Sequence, residues 1–156
     1  MRALLLLAVA NSAPLLGHKL LGPRLARPLD GGWTFLDGRP LLGRSKTVRG
    51  VVLSLAATAA AAPVLGLSWT TGALLAALSV LGDLTSSFLK RRLGRPPSSQ
   101  ALGLDQVPES LFPLLALHAR LDLTAGAIAA VVLVFVVLEL VLSRLFYRLG
   151  LRDRPY

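Results

Sequence analysis

The sequence predicts an all-α fold, a polytopic membrane helix bundle of about five transmembrane segments. Three observations lead there. The 156-residue chain is 54% hydrophobic and only 16% charged, and its mean hydropathy of +0.65 is too high for an ordinary soluble domain of this size. Its apolar residues gather into runs close to the roughly 20 residues a helix needs to cross a hydrocarbon core. Its 17 Lys and Arg fall mainly in the segments between those runs. One integral membrane domain over residues 1–156 is expected.

The first apolar segment covers residues 3–21. Arg2, the run Leu4-Leu5-Leu6-Leu7 and the small residues Ala8, Ala10 and Ala13 give it the look of a cleaved signal peptide. Apolar sequence continues past Pro14 through Leu15, Leu16, Leu20 and Leu21, however, and a retained span is expected. The second and third spans are expected over residues 51–69 and 71–89. Within the second, the alanine-rich run 56–62 reads as a close helix-packing surface. The fourth, residues 107–121, is short. Pro108 suits a helix start there, whereas Pro113 should kink or tilt it, so an incomplete crossing is compatible with the sequence. The fifth covers residues 123–142.

Charge sets the expected topology. Residues 22–50 hold Arg24, Arg27, Arg39, Arg44, Lys46 and Arg49. Residues 90–103 hold Lys90, Arg91, Arg92 and Arg95, and the tail holds Arg144, Arg148, Arg152 and Arg154. Arg2 and Arg120 fall on the opposite side, with Lys19 at the inner end of the first span. The positive-inside rule then puts the loops 22–50 and 90–106 and the C-terminus in the cytoplasm, with the N-terminus outside the cell membrane. Cleaving the first segment would leave the Arg-rich first loop outside, against that rule.

Composition also excludes several functions. With no Cys, disulfides and thiolate metal sites are ruled out, and two His alone argue against structural zinc. A net charge of +9 invites nucleic acid, but aromatic content is only 6%. Cations confined between apolar runs suit membrane topology and an anionic ligand better than a base-stacking platform.

The richest chemistry lies where the third segment ends, in Gly82-Asp83-Leu84-Thr85-Ser86-Ser87-Phe88-Leu89-Lys90-Arg91-Arg92. A carboxylate inside a membrane span is costly and marks a functional site by default. If this stretch is helical, Asp83 lies about 10 Å below the basic rim at Lys90. The first loop offers Asp37-Gly38-Arg39, then Gly43 through Lys46-Thr47 to Arg49-Gly50. Lys46 and Arg49 are three apart at the expected start of a helix, a spacing that seats a phosphate at a helix N-terminus. The second loop adds Leu104-Asp105-Gln106. Asp83 and Asp105 are the acids best placed to meet at the cytoplasmic mouth, where magnesium binds through one or two carboxylates plus substrate phosphates.

Blander readings stand beside these. The first loop would need only its cations to act as a topogenic segment, and Asp83 would be satisfied by an ion pair with Lys90, Arg91 or a loop cation. Glu139 reads as the partner of an Arg near the inner rim, Asn11 as a bond across helices, and His18 and His118 as interfacial or packing residues. Rings of cations also suit an anion transporter or channel, although no internal repeat of the transporter kind is evident. A scaffold role would require Asp83 and Asp105 to be dispensable.

Taken together, these motifs resemble the CDP-archaeol synthases, small integral-membrane relatives of the phosphatidate cytidylyltransferases. The stretch from Gly82 to Arg91 is similar to the core shared by both groups, with Asp83, Ser87, Lys90 and Arg91 at matching positions. Ser86 stands where the wider group usually has Glu. The first-loop signature and Leu104-Asp105-Gln106 resemble the archaeol branch. That branch usually carries a second Asp three residues beyond the first in the third motif; here Pro108 stands there, followed by Glu109.

The resemblance implies transfer of a cytidylyl group from CTP to a lipid phosphate, with release of pyrophosphate. It implies Asp83, Asp105 and Lys90 as catalytic residues, and Asp37, Arg39, Lys46, Thr47, Arg49, Ser87 and Arg91 around the nucleotide. It further implies Mg2+ held by Asp83 and Asp105, with Glu109 as the candidate replacement for the missing Asp. The implied partners are CTP, a lipid phosphate and the bilayer. Lipid tail chemistry stays open at this point, and a homo-oligomer is compatible.

Overall fold

The computed structural model describes residues 1–22, 24–97 and 99–150. Pro23, Ser98 and residues 151–156 lie outside that set, and with them the tail cations Arg152 and Arg154 of the expected topology. Among the described residues five α-helices follow one another: α1 (Arg2–Leu21), α2 (Val48–Ala61), α3 (Trp69–Arg92), α4 (Gln106–Ala116) and α5 (Ala125–Arg148). A 3-10 turn, Pro63–Leu65, extends α2.

Among the described residues four helices are long and apolar enough to cross a membrane: α1, α2 continued to Leu65, α3 and α5. The 11 residues of α4 reach only about 16 Å, so the expected fourth span is half a crossing. Pro108 sits in the first turn of α4, where its missing N–H costs nothing. Pro113 lies inside the helix, which ends three residues later at Ala116.

The expected boundary between the second and third spans moves by several residues. α2 stops at Ala61, Pro63 opens the 3-10 turn, and Gly66 takes the left-handed conformation at φ 71°. Ser68 then caps α3, its hydroxyl accepting from the Thr71 N–H at 3.2 Å. Trp69 therefore opens the third helix instead of closing the second.

Small residues set how closely the helices approach. A Cβ on Gly17 of α1 would run into the Leu53 side chain of α2. One on Gly72 of α3 would lie 2.6 Å from the Ala62 Cβ and 2.5 Å from the Thr58 carbonyl oxygen, so the alanine-rich run does act as a packing surface. One on Gly82 would collide with the Pro108 carbonyl and lie 2.6 Å from the Glu109 nitrogen. That contact presses the first turn of α4 onto α3.

The apolar core joins Ala3, Leu6 and Leu7 of α1 to Ala62, Leu75, Leu114, Leu117, Ile128 and Phe135. It occupies the end of the bundle at which α1 begins. At the opposite end the Lys19 ammonium donates to the Gly150 carbonyl, so α1 and α5 run in the same direction. α4 and residues 117–124 together carry the chain back between α3 and α5, and both long loops emerge at the Lys19 end. Two buried hydroxyls of the helices are satisfied internally. The Ser54 hydroxyl donates to the Ala10 carbonyl at 2.9 Å, and that of Ser86 to the Gly82 carbonyl at 3.0 Å.

Candidate active site

The first loop is ordered by one acid and one arginine. One carboxylate oxygen of Asp30 accepts from the Gly32 N–H at 3.0 Å, and the other accepts from Leu42 at 2.9 Å and Gly43 at 3.1 Å. Partial burial pushes this carboxyl up, but the three N–H donors outweigh that and leave it below the usual 3.8. Isolated antiparallel bridges pair Pro28 with Thr47 and Thr34 with Pro40, so the loop returns on itself as a hairpin.

Arg92, at the last position of α3, grips that hairpin. Its guanidinium binds the Asp37 carboxylate at 2.7 Å and the Pro40 carbonyl at 2.7 Å. It also lies over the rings of Phe35 and Phe88, at 4.7 and 4.9 Å from their centroids. Arg39 returns the contact by donating to the carbonyls of Arg91 and Arg92 at the end of α3. The cationic end of α3 and the acceptor-rich loop thus lock together.

Clamped this way, the loop delivers Lys46 into the bundle. The Lys46 ammonium meets both oxygens of Asp83, at 2.7 and 2.6 Å. Burial pushes this lysine down, yet Asp83 first, then Glu109 and Asp105, more than offset it and hold its pKa above the usual 10.5. Three acids from two helices therefore act on one ammonium. A second pair stands beside the first. The Lys90 ammonium lies 2.6 Å from Asp105 and donates to the Ser99 carbonyl at 2.9 Å. Asp105, at the N-cap position of α4, spends its other oxygen on the Ala101 N–H at 2.8 Å.

Both pairs face one cavity of about 750 Å³, a size that suits a small-molecule ligand. Its wall brings together Lys46, Thr47, Arg49, Asp83, Ser87, Lys90, Arg91, Asp105 and Glu109 of the sequence-predicted residues. Asn11, His18 and Glu139 line it as well. Asp37 and Arg39 do not; they stand outside, in the hairpin clamp on α3. His118 is exposed and faces the Leu115 carbonyl at 2.8 Å.

Several wall residues also carry structural duties. The Thr47 hydroxyl caps α2 by accepting from the Gly50 N–H at 3.1 Å. The Arg49 guanidinium donates to the carbonyls of Gly22 and Arg24 just past the end of α1 and meets His18 Nδ1 at 3.3 Å. Arg91 donates to the Pro96 carbonyl at 2.8 Å. The ion-pair alternative for Asp83 is realised with the loop cation Lys46. Sequence reasoning missed Asp30 and Arg92 as organisers. Asp30-Gly31-Gly32 carries a turn signal, whereas Arg92 reads as one more cation in a basic run.

Among the described residues, no three of His, Cys, Asp and Glu form a cluster able to hold a metal ion by themselves. The donor set nevertheless fits magnesium, a hard cation that takes one or two carboxylates and completes its shell with water and phosphate oxygens. Asp83 and Asp105 offer two such carboxylates to one cavity.

A helical bundle with a charged cavity sunk between its spans defines a membrane-embedded enzyme of anionic substrates, and known proteins agree. The profile of one family, CarS-like CDP-archaeol synthase, matches residues 60–156. The CDP-archaeol synthase of Pyrobaculum calidifontis is 35% identical over 153 residues, spanning 95% of this chain and 91% of that protein. That of Hyperthermus butylicus is 39% identical over 147 residues, spanning 87% and 80%. A solved structure of an intramembrane enzyme for archaeal membrane lipids biosynthesis superposes with a TM-score of 0.74 at 30% identity, covering 90% of this chain and 89% of that one. The chain belongs to the CDP-archaeol synthase family and is a membrane-embedded, CTP-dependent cytidylyltransferase. The transporter alternative finds no support in these matches.

Proposed function

We propose that the cavity binds CTP and the phosphate of a lipid carrying isoprenoid ether chains, and joins them into a CDP-lipid. A lipid phosphate oxygen attacks the α-phosphorus of CTP, the bond from that phosphorus to the β-phosphate bridging oxygen breaks, and pyrophosphate leaves. The substrate supplies the nucleophile, so the protein's work is positioning and charge neutralisation. The observation that carries the reading is the two Asp–Lys pairs, Lys46–Asp83 and Lys90–Asp105, on one cavity wall. The choice of isoprenoid tails rests on relatives named CDP-archaeol synthase.

Magnesium, held by Asp83 and Asp105, would neutralise the triphosphate and the departing pyrophosphate. Glu109, buried and adjacent in the same wall, is our candidate for a further ligand. Lys46 and Lys90 turn from the acids to phosphate oxygens as the nucleotide enters. Arg49 and Arg91 hold the two loop ends in place and add positive potential. Asp37 and Arg39 shape the nucleotide pocket from outside, by fixing the hairpin that carries Lys46. Lipid tails stay in the bilayer. The two loops face the cytoplasm of the cell membrane, by the distribution of cations.

Purified protein incubated with labelled CTP, magnesium and a panel of isoprenoid-ether, diacyl and polyprenyl phosphates tests the reading. A labelled CDP-lipid formed fastest from the ether phosphate is the expected result. No labelled lipid from any acceptor would overturn it, and a faster reaction with diacyl phosphate would overturn the assignment of tails.

A further inference from the structure

The hairpin that delivers Lys46 ends in an apolar tip that the cavity does not use. Trp33 is 74% exposed and Leu36 is 96% exposed, with Phe35 between them. Single apolar side chains at a surface are ordinary. This pair differs because the backbone holds it rigidly outward. Phe35 and Arg39 are tied by a 2.8 Å bond from the Phe35 N–H, Gly38 donates to the Phe35 carbonyl at 2.9 Å, and Leu41 donates to the Trp33 carbonyl at 2.8 Å. Gly31, Gly32 and Gly38 take positive φ to make these turns, and the Asp37–Arg92 pair fixes the apex to α3.

We infer that this tip, Trp33 with Leu36, inserts into the headgroup layer of the bilayer crossed by the spans, anchoring the first loop at the membrane surface. Depth supports it. The Phe35 ring meets the Phe88 ring edge-on, with centroids 5.3 Å apart, and Phe88 lies one turn before the end of α3. The neighbouring Leu89 is exposed on a helix that crosses the membrane. Lys90, Arg91 and Arg92 then mark the rim, so the tip sits at the depth where hydrocarbon gives way to headgroups.

Chemistry supports it too. Tryptophan favours that interface, and the exposed Arg27 on the same loop suits the anionic phosphates of lipid headgroups. Every step from the tip to the spans runs through contacts already described. The occupant is therefore the surrounding bilayer itself.

The sequence has two tryptophans, so Trp69→Phe leaves Trp33 as the sole reporter in the full-length chain. The variant is reconstituted in phosphatidylcholine–phosphatidylglycerol vesicles with or without bromine on the acyl chains. Bromolipid should lower Trp33 emission about twofold or more, and acrylamide should quench it far less than it quenches free tryptophan, as for a residue of the interfacial belt. Adding Leu36→Glu or Leu36→Ser should restore acrylamide quenching while the chain still inserts. Free access to acrylamide with no bromolipid effect would overturn the inference. So would protection that disappears when the protein is diluted in lipid, because the tip would then be covered by a second copy.

Discussion

Replacing Gly82 by alanine tests how the site is assembled, because it perturbs geometry without touching a charge. A Cβ at Gly82 would meet the Pro108 carbonyl carbon and oxygen and come within 2.6 Å of the Glu109 nitrogen, whereas ordinary contact begins near 3.4 Å. All three obstacles are backbone, so no side chain can swing aside. The first turn of α4 must retreat from α3 by close to an ångström. Overpacking of this kind costs about 1–3 kcal/mol. The functional loss should be larger in proportion. Asp105 and Glu109 ride on the displaced turn while Asp83 stays on α3, and an error of about 1 Å in a reacting geometry costs on the order of a hundredfold in rate. The assay is CDP-lipid formation per folded molecule, with the folded fraction taken from monodispersity and thermal unfolding in detergent. Gly72→Ala is the matched control. It clashes too, at 2.5 Å from the Thr58 carbonyl oxygen and 2.6 Å from the Ala62 Cβ, but about 15 Å away along α3. It should lower the melting temperature and leave activity per folded molecule close to wild type. Gly126→Ala, which meets nothing within 4 Å, should be neutral. Unchanged specific activity in Gly82→Ala would refute the idea that this contact sets the spacing of the acids.

Asp83→Asn keeps the shape but removes a charge; turnover should fall by about a hundredfold or more while insertion is kept, and wild-type turnover would sink its assigned role. Arg92→Lys retains the charge but loses the planar fork that reaches Asp37 and the Pro40 carbonyl together. The loop should loosen by about 1.4 kcal/mol, read as roughly tenfold faster trypsin cleavage after Arg44; an unchanged rate would mean the clamp is not energetic. The Lys46 pKa is raised, so its contribution is complete below the usual 10.5 and fades only as pH climbs through the higher folded value. The melting difference between wild type and Lys46→Met should therefore stay constant from about pH 6 to 9, and a drift across that window would contradict the pairing. Asp30, held below 3.8, contributes above that value and loses its effect as pH falls beneath it, so wild type and Asp30→Asn should converge in stability only in strong acid.

Much of this was legible in the sequence because membrane physics writes in large letters. Long apolar runs gave the four crossing helices, and an acid seven residues before Lys90 marked the cavity. Two things were not legible. The break between the second and third helices turned on local backbone chemistry at Pro63, Gly66 and Ser68, which hydropathy averages away. The division of labour among the cations was hidden more deeply, since sequence gives a charge but not its partner. Lys46 and Lys90 pair with acids, whereas Arg39, Arg49 and Arg91 donate to backbone carbonyls and Arg92 grips both a carbonyl and Asp37. Arginine's fork suits several fixed acceptors at once, and lysine's single ammonium suits exchange between partners.

That division bears on how the cavity survives without substrate. Its wall carries Arg44, Lys46, Arg49, Lys90 and Arg91 against Asp83, Asp105, Glu109 and Glu139, so its formal charges nearly cancel. A strongly cationic hollow among apolar helices would be costly to keep open, and so would one lined by bare acids. Near-neutrality removes both costs, but it also leaves little net attraction for a triphosphate. The two lysines can resolve this only if each can exchange a carboxylate for a phosphate while the carboxylate finds another cation. Arg49 and Arg91 cannot make that exchange without abandoning the carbonyls that hold the loops. On this argument the arginines set the architecture of the site, and the Lys–Asp pairs hold its chemistry in reserve.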